Sequence, residues 1–187
     1  MSAFHNPALM SQSEFARVTA SSLALGAGIQ HGWLSGLVPL KGSSSAFGLN
    51  LNYMGTGAMK VRTEFQPGGT GELFYATQMA AGLAYAKTLS DRFSFGINMK
   101  YINERLAQYT NHTVAADLGF LYTTDVRDLK FGIVVKNFGG NSSLNGDYLA
   151  VDFNRNGVSL DQYAVPTVFR IGAAMKPIQQ ETQSLMV

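Results

Sequence analysis

The sequence predicts an all-β protein: an antiparallel, up-and-down transmembrane β-barrel, present here as about eight to nine strands of a larger barrel, with a short N-terminal helix or plug segment in its lumen. Three observations predict it. Apolar and polar residues alternate along the strand candidates. Short and long connectors sort to opposite ends of the sheet. Charged residues are only 14% of the chain, against roughly 25% in soluble domains. The chain reads as one partial barrel domain over 1–187, with residues 1–12 as the plug segment and 14–187 as strands and loops.

Alternation is clearest from Arg92 to Lys136. Phe93, Phe95, Ile97, Met99 and Tyr101 are separated by Ser94, Gly96, Asn98 and Lys100. A helix cannot use a period of two; a strand with two unlike faces can. The next run sets Val114, Ala116, Leu118, Phe120 and Tyr122 against Thr113, Ala115, Asp117 and Gly119. A third sets Leu129, Phe131, Ile133 and Val135 against Lys130, Gly132, Val134 and Lys136. Two architectures use this pattern. In a soluble sandwich the apolar face is the core and the polar face meets water. In an outer-membrane barrel the apolar face meets lipid and the polar face lines the lumen.

The elements follow in chain order. Asn6 suits a helix cap and Pro7 a first helical position, so 7–12 reads as a short helix or, equally, a turn. Strands are expected over 14–22, 29–40, 44–55, 73–88, 92–105, 112–124, 129–138 and 167–177, with 183–187 beginning a ninth. The run 73–88 has an Ala-rich centre that also suits a helix, but Met79, Ala81, Leu83 and Tyr85 share a strand face.

With these boundaries the connectors hold about 6, 3, 17, 3, 6, 4, 28 and 5 residues. The even ones are short and the odd ones longer. Short turns on one rim and long loops on the other is the outer-membrane pattern, and a soluble sandwich has no reason to sort its loops so. Length agrees. Phe93 to Tyr101, tilted by about 45°, gives roughly 19 Å of height, and flanking residues extend it toward the apolar band of about 25 Å. Phe93 and Tyr122 then fall near the periplasmic rim and Tyr101 near the outer one.

Formal net charge is +2 with Lys and Arg scattered, so no nucleic-acid partner is expected. There is no Cys, hence no disulfide and no thiolate chemistry. No apolar run is long enough for a membrane-spanning helix, and no basic-then-apolar signal peptide opens the chain. His5, His31 and His112 are far apart, so no metal site, no cofactor and no catalytic residue is assigned and the protein is not expected to be an enzyme. The segment D-F-N-R-N-G (152–157) starts like a calcium loop but lacks the closing Glu, since Tyr163 stands there; a polar loop is the better reading. P-G-G-T-G (67–71) reads as a loop and not a phosphate cradle. On the polar face Asn98, Lys100, Asp117, Lys130, Lys136 and Arg170, with Lys176, project toward the lumen. Adjacent strands bring Lys100 near Asp117 and Asp117 near Lys136, chiefly as a structural ion network.

H-N-P-A (5–8) resembles the N-terminal segment of FadL-like outer-membrane proteins. P-G-G-T-G-E (67–72), L-A-Y-A-K-T-L-S-D-R-F-S-F-G-I-N-M-K-Y-I-N-E (83–104), D-L-G-F-L-Y (117–122), L-K-F-G-I-V-V-K-N-F-G (129–139) and P-T-V-F-R-I-G (166–172) together resemble the PorV/PorQ family of that superfamily. The resemblance implies a barrel of about fourteen strands with the N-terminal segment, His5, Asn6 and Pro7 among it, inside the lumen. It implies an outer-membrane location and a part in type IX protein secretion, handling cargo that carries a C-terminal sorting domain. The wider FadL-like group implies passive transport of hydrophobic molecules instead. Val187 is not the terminal aromatic of such barrels, and the signal peptide and later strands are missing, so the chain reads as a fragment not expected to insert alone. The expected partners are the outer-membrane bilayer and proteins at loops 56–72 and 139–166, because exposed loops on a rigid scaffold carry recognition.

Overall fold

A computed structural model describes residues 5–126, 129–143, 162–175, 178–180 and 183–185. A 3-10 helix, Pro7–Gln12, precedes strands β1 (Arg17–Leu25), β2 (Ile29–Leu40), β3 (Ser45–Gly55), β4 (Met59–Lys60), β5 (Leu73–Phe74), β6 (Ala76–Ser90) and β7 (Phe93–Leu106). Then come β8 (Tyr109–Thr123), β9 (Lys130–Gly139), β10 (Asn141–Ser142), β11 (Tyr163–Ala164), β12 (Val168–Ala174), β13 (Ile178–Gln180) and β14 (Gln183–Leu185). Eight of these form one antiparallel meander in the order β1-β2-β3-β6-β7-β8-β9-β12. The Ala-rich run is strand, not helix. Its register is continuous with β3 from Thr77 to Lys87 and with β7 from Ala76 to Thr88.

The sheet curls but does not close into a barrel; β1 and β12 are its two edges. The residues expected to begin a ninth strand lie outside it, because β14 pairs with β13 in a separate hairpin. The sorting of connectors is also weaker than expected. β1 runs on to Leu25 and leaves only Gly26–Gly28, and β7 and β8 absorb the segment read as a loop, leaving Ala107 and Gln108 between them. Ladder pairs Arg105–Thr110 and Leu106–Tyr109 take up backbone groups that a loop would have left to water. Of the odd connectors only 56–75 and 140–167 are long; both leave from the same end of the meander.

The two faces obey opposite rules. Phe47, Leu49, Leu83, Met99, Val114, Ile133 and Ile171 stand on the convex face and are exposed, Leu83 to 68% and Met99 to 58%. No second sheet covers them among the described residues, which is the reverse of a sandwich. The concave face is buried although it is small and polar: Ala46, Ala84, Ala86, Ser94, Asn98, Thr113 and Asp117 are each 5% exposed or less. Aromatics stand near the ends of the apolar band. Phe93 pairs with Tyr122 beside the Asp91–Arg92 turn, and Tyr101 pairs with Val114 toward the long-loop end.

Candidate functional site

The concave face is covered by the N-terminal segment. Asn6 is extended (φ −149°, ψ 113°) and caps the 3-10 helix, its Oδ1 accepting from the Ala8 amide at 2.9 Å, with Pro7 following. The same side chain donates from Nδ2 to the Phe120 carbonyl on β8 at 3.1 Å. One asparagine therefore starts the helix and fixes it to the sheet. Pro7, Ala8 and Met10 are buried, while His5 is exposed.

The helix lies in a trough cut by a row of small residues. Ala46, Ala86, Gly96 and Gly119 face one another across β3, β6, β7 and β8. A Cβ on Gly96 would sit 2.4 Å from the Ala8 nitrogen, and one on Gly119 would sit 2.1 Å from Asn6 Oδ1. At Gly96 backbone approaches backbone, and at Gly119 the capping Asn6 side chain and the Pro7 ring fill the space, so glycine fits both. Met10 fills the trough and packs with Leu37, Ala46, Ala84 and Ala86 in an apolar cluster. A hydroxyl chain latches the helix end: Ser11 Oγ donates to the Ala8 carbonyl at 2.9 Å, and Thr88 Oγ1 lies 3.0 Å from Ser11 Oγ and 3.1 Å from Ser94 Oγ.

Beyond the helix, toward the long loops, lies a polar network centred on Asp117. Lys100 Nζ donates to Asp117 Oδ1 at 2.7 Å and to Asn137 Oδ1 at 2.5 Å. Asn98 Nδ2 donates to Asp117 Oδ2 at 3.1 Å, and Asn98 Oδ1 accepts from Asn50 Nδ2 at 2.9 Å. The backbone amide of Asn137 also donates to Asp117, at 2.9 Å. That bond exists because the β8–β9 register shifts between Ala116 and Leu118, and Asn137 takes a left-handed φ of 58° that asparagine tolerates better than most residues. Paired so, the carboxylate and the ammonium are each held by several neighbours, the condition under which a buried ion pair survives.

The network floors a hollow of ≈ 270 Å³ whose lining includes Trp33, Asn50, Lys100, Asp117, Lys136 and Arg170. Trp33 is on β2 and Arg170 on β12, near opposite edges, so the curl of the sheet brings them to one cavity. Five of the six residues expected to face the lumen, Asn98, Lys100, Asp117, Lys136 and Arg170, line it. Lys130 does not. It pairs with Thr123 and Ala174 at the short-turn end of β9. Lys176 and the segment 152–157 lie outside the described residues. No group of three metal-ligating side chains occurs among the described residues.

Several members were not singled out from sequence. Asn50 and Asn137 are in the network, and Gln78, Glu104, Asn111, Ser142 and Tyr163 make a second one at the long-loop end. Asn111 Nδ2 donates to Glu104 Oε2 at 2.9 Å and to Ser142 Oγ at 2.5 Å, and Thr113 Oγ1 donates to Ser142 Oγ at 2.9 Å. The base of the 139–166 loop, β10 paired with β11, is thereby tied onto the inner face of β8 and not displayed outward. For Asn50 and Asn111 the signal available was asparagine at inward strand positions, where its intrinsic preference is poor and a specific bond must compensate. The other long connection is a loop, as read: Gly69 and Gly71 take φ of 115° and 94°, and the Thr70 amide donates to the Val61 carbonyl at 2.8 Å.

No protein-family model matches the chain, and no curated protein matches it.

Proposed function

We propose that the chain forms barrel wall and plug of a non-enzymatic outer-membrane protein of the PorV/PorQ type, which binds protein partners or cargo in type IX secretion. The observation that carries the reading is the inverted sheet. An apolar face left exposed on every central strand, over a polar face buried under the chain's own N-terminal segment, suits lipid outside and a plugged lumen inside. The polar groups gathered on the concave face are amides and an ion pair, which hold and position rather than react.

Two features favour binding over FadL-like passive transport of hydrophobic molecules. The trough beside the N-terminal segment is filled by Met10, with its apolar neighbours packed on it. The hollow beyond is lined with charges and amides, a poor path for an apolar solute. Partner contact falls to the long connection 56–72, whose Phe65 is 94% exposed, and to the part of 139–166 beyond its docked base.

The test is fractionation of cells that carry an epitope tag at Gly68 in the protein's own chromosomal copy, followed by a gel of heated and unheated samples. An outer-membrane band that shifts on heating, with the tag reached from outside whole cells, is expected. A soluble protein indifferent to heating overturns the membrane reading. Deletion then separates the two roles: loss of secretion of cargo with a C-terminal sorting domain is expected, whereas a defect confined to uptake of hydrophobic compounds would move the assignment to transport.

A further inference from the structure

We propose that the hollow on the concave face binds a small neutral carbohydrate, a single pyranose ring. The inference goes beyond the secretion role and rests on the concave face alone, so it stands or falls separately from the membrane reading.

The amides are the first reason. The charged groups of the lining answer to one another or to solvent: Lys100 and Asp117 are paired, Lys136 has an interaction of its own, and Arg170 is exposed on the edge strand β12. Recognition then falls to the neutral groups. Asn50, Asn52 and Gln78 line the hollow. Asn50 donates from Nδ2 to Asn98 and Gln78 from Nε2 to Glu104, so each turns its amide nitrogen to a neighbour and keeps an oxygen able to accept. Asn52 makes no side-chain hydrogen bond among the described residues, so both its donor and its acceptor are open to a guest. A hydroxyl donates as well as accepts, and a ring of hydroxyls answers this mixture of amide oxygens and an amide nitrogen. An apolar guest would strip water from the same groups and leave them unpaired.

Size and shape are the second reason. At ≈ 270 Å³ the hollow is at or below the small end for ligand sites, which admits one sugar ring and excludes a chain of them. Small residues on β6 keep it open. Ala80 lines it, and at Gly82 a Cβ would sit 2.6 Å from Asn50 Oδ1 and 2.8 Å from Asn98 Oδ1. Trp33 lines it too, and the ladder pairs Trp33 directly with Asn52, and Asn52 with Ala80. A flat apolar ring system next to an uncommitted amide matches a pyranose, whose C–H face is apolar and whose rim is polar.

Trp33 is the single tryptophan of the chain, so its fluorescence reports occupancy directly. The experiment titrates glucose, galactose and mannose, each separately, into the purified protein. Raffinose at matched osmolality serves as a sugar too large for the hollow, and Trp33→Phe assigns the signal. A saturable change with at least one monosaccharide and none with raffinose is expected. Ala80→Leu fills the hollow and should abolish the change. Asn52→Ala should weaken binding by about fivefold, the scale of one neutral hydrogen bond, while Asn103→Ala, on the convex face, should not. The Asn52 side chain bonds to nothing else among the described residues, so its variant keeps the test decisive where Ala80→Leu fails to fold. No saturable change with any of the three monosaccharides overturns the proposal. So does an equal response to raffinose, or an affinity that Asn52→Ala leaves unaltered.

Discussion

Along β7 and β8 two faces of one sheet can be compared residue by residue. Asn98 and Asp117, paired across the strands, are buried, polar and bound to named partners. Met99 and Ala116, one step away and also paired, face outward, and Met99 is largely exposed. In a sheet whose apolar face forms its core the assignments would be exchanged. The difference teaches that burial on the concave face is supplied by a 3-10 helix with its small apolar cluster and by a polar network, so its stability depends on matched bonds and close fit. The convex face makes few internal demands, and its residues are constrained by what surrounds the protein.

The largest effect expected from breaking that contrast is at Asp117. Asp117→Leu removes the acceptor of Lys100, Asn98 and the Asn137 amide at once. Lys100 and Lys136 are then left in the hollow without their carboxylate. Loss of one partner of a buried pair costs about 3–5 kcal/mol. Denaturant unfolding followed by Trp33 fluorescence should show a midpoint far below that of the wild type. A shift under about 1 kcal/mol would mean that water already solvates the network.

The next effect is on the outer face and depends on the medium. Leu83 is the middle of the exposed band, opposite Leu49 and Met99. If the band faces lipid, Leu83→Arg costs about 2–4 kcal/mol in a bilayer. In water the same substitution should change stability by less than about 0.5 kcal/mol, because Leu83 touches little of the protein. Comparing refolding yields of this variant in liposomes and in detergent-free buffer sharpens the contrast between the faces and tests the surroundings of the band.

Much of the contrast was legible in the sequence because period-two alternation reports face directly. It placed the eight strands of the sheet and made Lys100 and Asp117 neighbours on adjacent strands, and of the set expected to face inward Lys130 falls outside the hollow. Asn6-Pro7 suited a helix start and a turn equally, and the structure has the helix. What stayed illegible depends on contacts distant in sequence. Asn137 reaches Asp117 only through a bulge that alternation cannot show, and it lies on the opposite parity to Lys136. The docking of Ser142 on Asn111 joins a loop base to a strand about 30 residues away, with nothing local to mark it. The extent of β7 and β8 was misjudged because 106–111 is polar and lacks alternation, although its ladder bonds form. The small residues at 46, 86, 96 and 119 were visible singly; that they form one trough follows only from the register.

That trough gives an intermediate effect on the inner face. Gly96→Val puts side-chain atoms where the backbone of Pro7 and Ala8 lies, and neither the strand nor the capped helix has a flexible atom to give way. Overpacking of this kind costs about 1–3 kcal/mol. Here it is relieved by release of the helix rather than by unfolding of the sheet. Hydrogen exchange should therefore rise at Ala8 and Leu9, whose amides are bonded to Asn6, while the β7–β8 ladder stays protected. If the ladder loses protection together with the helix, the N-terminal segment is part of the folding core and not a separable plug.

A matched truncation separates the faces, and its outer arm carries the smallest effect expected. Leu37 is 6% exposed and packs with Met10 on the concave face, whereas Leu83 is 68% exposed on the convex one. Leu37→Ala leaves a cavity under the helix and should cost about 2–4 kcal/mol. If the band faces lipid, Leu83→Ala removes the same atoms from a place that lipid or detergent fills, and the expected cost in micelles is below about 0.5 kcal/mol. Paired denaturant midpoints check this. A large loss at Leu83 would mean that the convex face is packed against protein in the working state, through closure of the sheet's free edges or a second molecule, and the assignment of that face to lipid would fall with it.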